Sequence, residues 1–461
     1  MSDTSKRNGL GTRRSFLKKS VATGLGAGAV ALTKGAFASE KTDFDVIIVG
    51  AGIAGLTAAK LLVGWGYEVG VLEADREIGG RIKTDNSLGA AFDLGAAWVH
   101  GPDGNPISKL AQSVKADTYL TDDDSYRVFD ASGSVVPKAK IARYYKDLQE
   151  IFGRVDAAFD NDQPLTDALK KVSPGIENDE VLQWMLSAYT EFDTGGPLDK
   201  LSAYYFDEDE AFDGEDVVFS KGYAPILKPL AAGLDVRLNA QVDRIEYEKG
   251  EGAYVYVGDQ RFESSFVVCT VPLGILQQEK IEFEPALPKK LRSSIDKIGM
   301  GNVTKLALKF DAAFWPEDIQ YFGLMNEKRG RWNYFLNYRT FSSQNILVGF
   351  CFGDHAKQVE ALDDTDTLAD CMDAVRTMFG DQVPEPTKIL PTRWSKNSFS
   401  GGAYSYSKVG VKPADFDGLG TPIEDVILLA GEHTTFKHHA TTHGAYLSGI
   451  RAAQLIEEKL A

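Results

Sequence analysis

Apolar residues along this chain fall into short continuous runs and into alternating ones, and the two patterns predict different strands. Phe44-Asp45-Val46-Ile47-Ile48-Val49 is nearly continuous, as in a parallel strand buried on both faces. A glycine-rich hexapeptide follows, residues 56–63 read as helix, and Val69-Gly70-Val71-Leu72 reads as a second buried strand ending at Glu73. Residues 266–276 form another apolar run closed by a proline turn. Residues 235–248 alternate like a strand pair, and residues 426–429 predict a strand ahead of a helix from about 444 to 459. Between these pieces the pattern changes. Residues 141–159 and 180–189 have helical periodicity, whereas residues 301–310, "WNYFLNYR" and "NILVGFCFG" alternate like strands.

The hexapeptide Gly50-Ala51-Gly52-Ile53-Ala54-Gly55 has the chemistry of a dinucleotide cradle. Gly50 permits a tight turn, Gly52 lets a pyrophosphate approach the backbone, and Gly55 allows the helix to pack close to the strand. The helix N-terminus presents free N–H groups and a positive dipole end. Glu73, 18 residues after Gly55, is placed to accept hydrogen bonds from a ribose diol. Strand, glycine turn, helix, strand and acid in this order define a Rossmann-type α/β unit. They leave NAD and FAD both open.

Composition and charge narrow the function. The 461 residues suffice for two or three domains or one interleaved pair, and the net charge of −16 excludes a nucleic-acid binder, which needs a basic footprint. Thr12-Arg13-Arg14-Ser15-Phe16-Leu17-Lys18, a Gly/Ala-rich apolar stretch at 21–32 and Ala36-Phe37-Ala38 look like a twin-arginine export signal with its cleavage site. The stretch is too short and glycine-rich to span a bilayer, and no other segment reads as a membrane anchor. A chain starting near Ser39 keeps 43 basic and 65 acidic residues, a net −22. Residues 116–216 hold 24 acids against 9 basic residues, which is either a solvated acidic face or a domain that attracts cationic ligands. Cys269, Cys351 and Cys371 make neither a disulfide framework nor a zinc motif and read as buried thiols. His433, His438, His439 and His443 are close in sequence, but they span a loop and a helix start without an i, i+4 pair on one helix, so no metal site is predicted.

Gly79-Gly80-Arg81 and Asp93-Leu94-Gly95-Ala96-Ala97-Trp98-Val99-His100-Gly101 follow the cradle. With these the chain resembles the flavin-containing amine oxidases. "LGAAWVHGPDGNPI" is similar to the matching stretch of spermine and acetylpolyamine oxidases, and further motifs recur in order along nearly the whole mature chain. The resemblance implies an amine oxidase fold: a Rossmann-type FAD-binding domain from residues 43–115, 217–300 and 388–461, interleaved with an α+β substrate domain from 116–216 and 301–387. It also implies roles. Arg81 would bind the flavin diphosphate, Ala97 and Trp98 would belong to the cofactor wall, and Val242 would contact adenine. Trp394 would pack beside the isoalloxazine. Gly431 and Glu432 would meet the ribityl chain, with Glu432 accepting from its hydroxyls. Thr442 would stand at the start of a helix whose positive end stabilises reduced flavin. Lys305 matches the lysine that holds a water on flavin N5. His100, Tyr404 and Thr441 would face the substrate, Thr441 standing where the family often has a second pocket tyrosine. Monoamine oxidases carry a flavin-bonded cysteine at the position of Ala403, so the FAD here is expected to be non-covalent.

The implied reaction is oxidation of a cationic amine, with polyamines favoured. Hydride would pass from the carbon beside nitrogen to flavin N5, the imine would hydrolyse to an aldehyde, and O2 would reoxidise the flavin to give H2O2. An L-amino acid oxidase on the same scaffold is the alternative. It would need a pocket arginine, for which Arg127, Arg143, Arg154 and Arg339 are available in the insertions. A flavoprotein interaction module without turnover, as the family's histone demethylases suggest, is disfavoured by the export signal and by the lack of a helical tower insertion. The expected partners are an amine, O2 and the twin-arginine export machinery, and the expected location is periplasmic or secreted.

Overall fold

A computed structural model of the chain describes residues 43–460, so the export-signal motif lies outside the described residues. The first sheet is built around β1 (Phe44–Val49), whose Val46 to Val49 are buried on both faces. On one side β1 pairs in parallel with β2 (Val69–Leu72), and β2 with Asp235–Arg237. On the other side it pairs in parallel with the strand Gln260–Cys269. That strand changes character along its length. Its first half closes an antiparallel meander with Gly252–Val257 and Arg244–Glu248, while Val267 to Cys269 are wholly buried and pair in parallel with Ile427–Leu429. Alternation at 244–257 and continuity at 266–269 follow from one-sided and two-sided burial respectively.

Helix α1 (Ile53–Trp65) and the C-terminal helix Thr442–Leu460 pack together over this sheet. Their contact is close because it is made by small residues. A Cβ on Gly449 would stand 2.3 Å from the carbonyl oxygen of Ala54. The helix begins at Thr442, two residues before its expected start.

The second sheet has seven strands in the order Lys388–Pro391, Val303–Lys309, Ile346–Phe352, Tyr334–Asn337, Tyr321–Leu324, Tyr126–Phe129 and Val135–Val136. Residues 388–391, assigned above to the flavin domain, are therefore an edge strand of this sheet, in register Leu306↔Pro391. Alternation along Val303–Lys309 sorts side chains to two sides. Val303 and Ala307 join one core with helices Lys138–Ala158, Leu165–Val172 and Glu180–Met185, whereas Leu306 and Leu308 join another with helix Asp364–Phe379. Parity puts Lys305 on the side of Val303 and Ala307. Leu88 and Phe92, from the first flavin segment, complete that core, so the two domains share packing.

Gly449→Val is expected to push the C-terminal helix off α1 and to lower the unfolding free energy by about 1–3 kcal/mol, as over-packing does. Thermal unfolding of the variant checks this, and an unchanged midpoint would show that the helices can separate freely.

Candidate active site

One continuous cavity runs from the glycine turn of the first sheet to Lys305 on the second. At its first end, Gly50 has φ +102°, and a Cβ there would meet Thr270 Oγ1 at 2.7 Å. A Cβ on Gly55 would lie 2.0 Å from the carbonyl oxygen of Gly50, so that glycine permits the helix–strand approach. Gly52 is the N-cap of α1, with no side-chain cap and no acid in the first turn. A Cβ on Gly52 would find nothing nearer than Gly79 O at 4.0 Å and would stand in the cavity itself. The positive helix end thus faces open space bordered by Ile53 and Ala54. Ala51 and Gly55 do not line the cavity. Ala51 N–H instead donates to Glu73 Oε2 at 2.6 Å, and Asp75 N–H to Glu73 Oε1 at 2.8 Å. These bonds aim the buried Glu73 carboxylate into the cavity, and burial raises its pKa above the ordinary range.

Three distant segments meet at Glu432. Its Oε1 accepts from Arg81 Nη1 at 2.8 Å, and its Oε2 from Ser405 Oγ at 2.5 Å and Ala440 N at 2.8 Å. Arg81 Nη1 also donates to the carbonyl of Ala403 at 2.9 Å. The nearby guanidinium holds Glu432 down to about 2 against the penalty of burial. Glu432, expected as a ribityl acceptor, is thus occupied in joining the Gly79-Gly80-Arg81 turn to both C-terminal segments. Nε and Nη2 of Arg81 have no protein partner among the described residues.

At the far end, Lys305 Nζ donates to the carbonyls of Asp93 at 2.8 Å and Gly95 at 2.6 Å and lies 5.7 Å from the centre of the Trp98 ring. Burial pushes its pKa down to about 8, opposed by the Asp93 carboxylate. Asp93 is itself pushed up to about 6 by burial, although Thr84 Oγ1 and Tyr223 N–H donate to it. The residues predicted from resemblance gather around this end. Ala97, Trp98, His100, Trp394, Tyr404, Thr441 and Thr442 line the cavity, with Val242 at the opposite, dinucleotide end. Two of the expected substrate contacts already use their hydroxyls. Tyr404 OH donates to Phe192 O at 2.5 Å, which fixes its ring. Thr441 Oγ1 donates to His438 O and accepts from Gly444 N at 2.9 Å, which makes it the N-cap of the C-terminal helix. That helix end faces the cavity without an acid in its first turn.

The four clustered histidines disperse into packing. His438 stacks on Phe212, and His439 on Phe436. His433 is buried with neither ring nitrogen hydrogen-bonded, and burial pushes its pKa down to about 4. Two buried acids went unrecognised in the sequence. Asp216 bonds to His100 Nδ1 at 2.6 Å, and Glu191 pairs with Arg329 at 3.0 Å. Asp216 stands directly before the apolar strand Val217–Phe219, but its partner is over a hundred residues away, and only strand register brings the two together.

The cavity fits a flavin dinucleotide. The uncapped helix end, the space over Gly52 and the two unsatisfied nitrogens of Arg81 suit a diphosphate, and Glu73 suits a ribose. A dinucleotide cradle opening onto a buried lysine and aromatic rings suits a dinucleotide-dependent oxidoreductase. The profile of the flavin containing amine oxidoreductases matches residues 53–457, and the chain belongs to that family, with FAD as its cofactor. It is 33% identical over 435 residues to probable polyamine oxidase 4 of Arabidopsis thaliana, covering 89% of this chain and 86% of that one. It is also 33% identical over 444 residues to lysine-specific histone demethylase 1 homolog 2 of Arabidopsis thaliana, where it covers 90% of this chain but 59% of the relative. A solved structure of a putrescine oxidase double mutant with redesigned cofactor binding shares the fold, with a TM-score of 0.72 and 21% identity over 90% of this chain and 99% of the other.

Stability should fall in acid for two reasons. His433 folds neutral at a pKa of about 4, so between that value and the ordinary imidazole value of about 6.5 the unfolded chain binds a proton that the folded one does not. Glu432, held at about 2, adds a second loss below about 4.3. His433→Gln is expected to flatten the upper part of this loss in urea denaturation measured from pH about 7 to about 4. An unaltered slope would show that His433 does not carry it.

Proposed function

We propose that the protein is an FAD-dependent polyamine oxidase. The observation that carries this reading is the composition of the cavity wall beyond the cofactor cradle. It holds the rings of Trp98, Phe192 and Tyr404 and the carboxylate-bearing Asp193, and its one arginine among the described residues is Arg81, already bound to Glu432. Such a wall suits an aliphatic cation and offers no guanidinium to an amino acid carboxylate. Arg127, Arg143, Arg154 and Arg339 do not line it. The acidic insertion supports the same reading. The charges of Asp123, Asp124, Asp193 and Asp207 all bear on the Tyr145 hydroxyl, whose pKa rises to about 12 through burial and those charges, and Asp193 of this group lines the cavity. The polyamine oxidases among the relatives agree with this substrate class.

Bound FAD supplies a hydride acceptor and a route for electrons to O2. The chain supplies position and field. Two carbonyls fix Lys305 Nζ, and an ammonium has three donors, so one N–H is left for a water or a polar atom in the cavity. Trp98, Trp394 and Phe192 exclude bulk water, and the fixed Tyr404 ring bounds the amine. The C-terminal helix presents its positive end to developing negative charge. FAD is held without a covalent bond: Ala403 stands in the wall, and the three cysteines are buried away from it. The twin-arginine motif supports export of the folded protein to the periplasm or beyond.

Peroxide release should follow addition of spermine, spermidine or N-acetylated polyamines, and turnover of L-amino acids alone would overturn the reading. Lys305→Met is expected to slow at least one half-reaction about 10-fold or more, as loss of an oriented donor does. Stopped-flow flavin reduction and reoxidation measure this, and unchanged rates in both would remove the role. Acid precipitation should leave the flavin in the supernatant, and a yellow pellet would contradict non-covalent binding.

A further inference from the structure

We propose that Glu360 is a positioning residue of the FAD site, whose buried carboxylate, gripping from behind the second sheet, fixes Lys305 and Trp394 relative to one another. The inference rests on the role given above to Lys305 and does not depend on which amine is oxidised.

The two side chains share their contacts in the cavity wall. Lys305 Nζ donates to the carbonyls of Asp93 and Gly95, and Trp394 Nε1 donates to the carbonyl between them, Leu94, at 3.0 Å. Three consecutive carbonyls of the first flavin segment thus hold both groups. The fit is tight, since a Cβ on Gly95 would lie 3.1 Å from Trp394 Cζ2. The two chain segments are also tied near Lys305. Its N–H donates to Thr392 Oγ1 at 2.8 Å, and Thr392 N–H donates to the carbonyl of Lys305 at 2.9 Å.

Glu360 closes this arrangement from the other face. Strand parity turns the Thr304 side chain away from that of Lys305. Thr304 Oγ1 donates to Glu360 Oε1 at 2.9 Å, and Trp394 N–H donates to the same oxygen at 3.1 Å. Oε2 accepts from Ser395 N–H at 2.8 Å and from Ser395 Oγ. One carboxylate therefore holds the residue before Lys305 and the backbone of Trp394. It is buried, and unlike Lys305 and Trp394 it does not line the cavity.

The choice of an acid here needs a reason. Glu360 is the C-cap of the helix Gly353–Val359, where the helix dipole disfavours negative charge, and burial disfavours it further. Its four donors supply the reason. A carboxylate only accepts, so it takes all of them at once, whereas an amide would set its own N–H groups against some of them. Without Glu360, the strand of Lys305 and the loop of Trp394 keep only the Thr392 tie and their contacts in the wall. A misplacement of about 1 Å at a reacting centre can cost up to about 100-fold in rate.

The test compares FAD-loaded wild type, Glu360→Gln, Thr304→Val and Lys305→Met, with flavin content and thermal midpoint as controls for folding. Visible circular dichroism reads the surroundings of the bound flavin. Stopped flow reads anaerobic reduction by spermidine and, without any amine, reoxidation by O2 after reduction with dithionite. Glu360→Gln is expected to keep its FAD, to alter the flavin dichroism, and to slow about 10-fold whichever half-reaction Lys305→Met slows. Thr304→Val, which removes one of the four donors, should change the same readouts by less. Folded, FAD-loaded variants with wild-type dichroism and rates overturn the proposal. Loss of FAD or of the fold in both Glu360→Gln and Thr304→Val assigns the carboxylate to stability and overturns it as well. A Lys305→Met variant that slows neither half-reaction removes the lysine's role, and the dichroism alone then judges Glu360.

Discussion

The site depends on a carboxylate buried where three separate parts of the chain converge. Glu432 accepts from Arg81, Ser405 and Ala440, and Arg81 also holds Ala403. Burying an unpaired carboxylate is prohibitive, so each donor must be in place for the charge to be tolerated. The turn after the dinucleotide cradle, the loop carrying the Tyr404 wall and the approach to the C-terminal helix are therefore fixed together. A carboxylate there organises the cofactor site through the residues it binds, and leaves two nitrogens of Arg81 for the cofactor.

A second constraint comes from the interleaving of the domains. Strand Val303–Lys309 belongs to the second sheet, yet its Lys305 reaches the carbonyls of Asp93 and Gly95 in the first flavin segment. Leu88 and Phe92 pack into the second domain's core. Neither domain completes its half of the cavity alone, and a lysine on an apolar strand becomes acceptable only because the other domain offers it acceptors. Charge follows the same division. The positive end of α1 and Arg81 face the cradle, while the acidic insertion contributes Asp193 to the wall beyond it.

Much of this was legible in the sequence because it is local. The strand, glycine turn and helix at 44–65 need only short-range pattern, and Gly50 and Gly55 act as expected. Family resemblance pointed to Lys305, Trp98, His100, Trp394 and Tyr404, which line the cavity. What the sequence could not show is pairing at a distance. Nothing in residues 98–101 announces Asp216, because the register joining them is set by strands over a hundred residues apart. Glu432 was expected to accept from the ribityl chain, whereas its carboxylate accepts from Arg81, Ser405 and Ala440. Ala51 was included because it sits inside the glycine motif, yet its side chain faces the core while its N–H holds Glu73. Residues 388–391 were assigned with the flavin domain and not read as a strand, because an edge strand of four residues carries too little pattern to announce its partner.

If the Glu432–Arg81 pair organises the site, removing one partner should be worse than removing both. A double-mutant cycle with Arg81→Met and Glu432→Gln, read by unfolding free energy, tests this directly. Arg81→Met alone is expected to cost about 3–5 kcal/mol by stranding a buried charge, and adding Glu432→Gln should recover part of that loss. Strictly additive losses would contradict the central place given to this carboxylate.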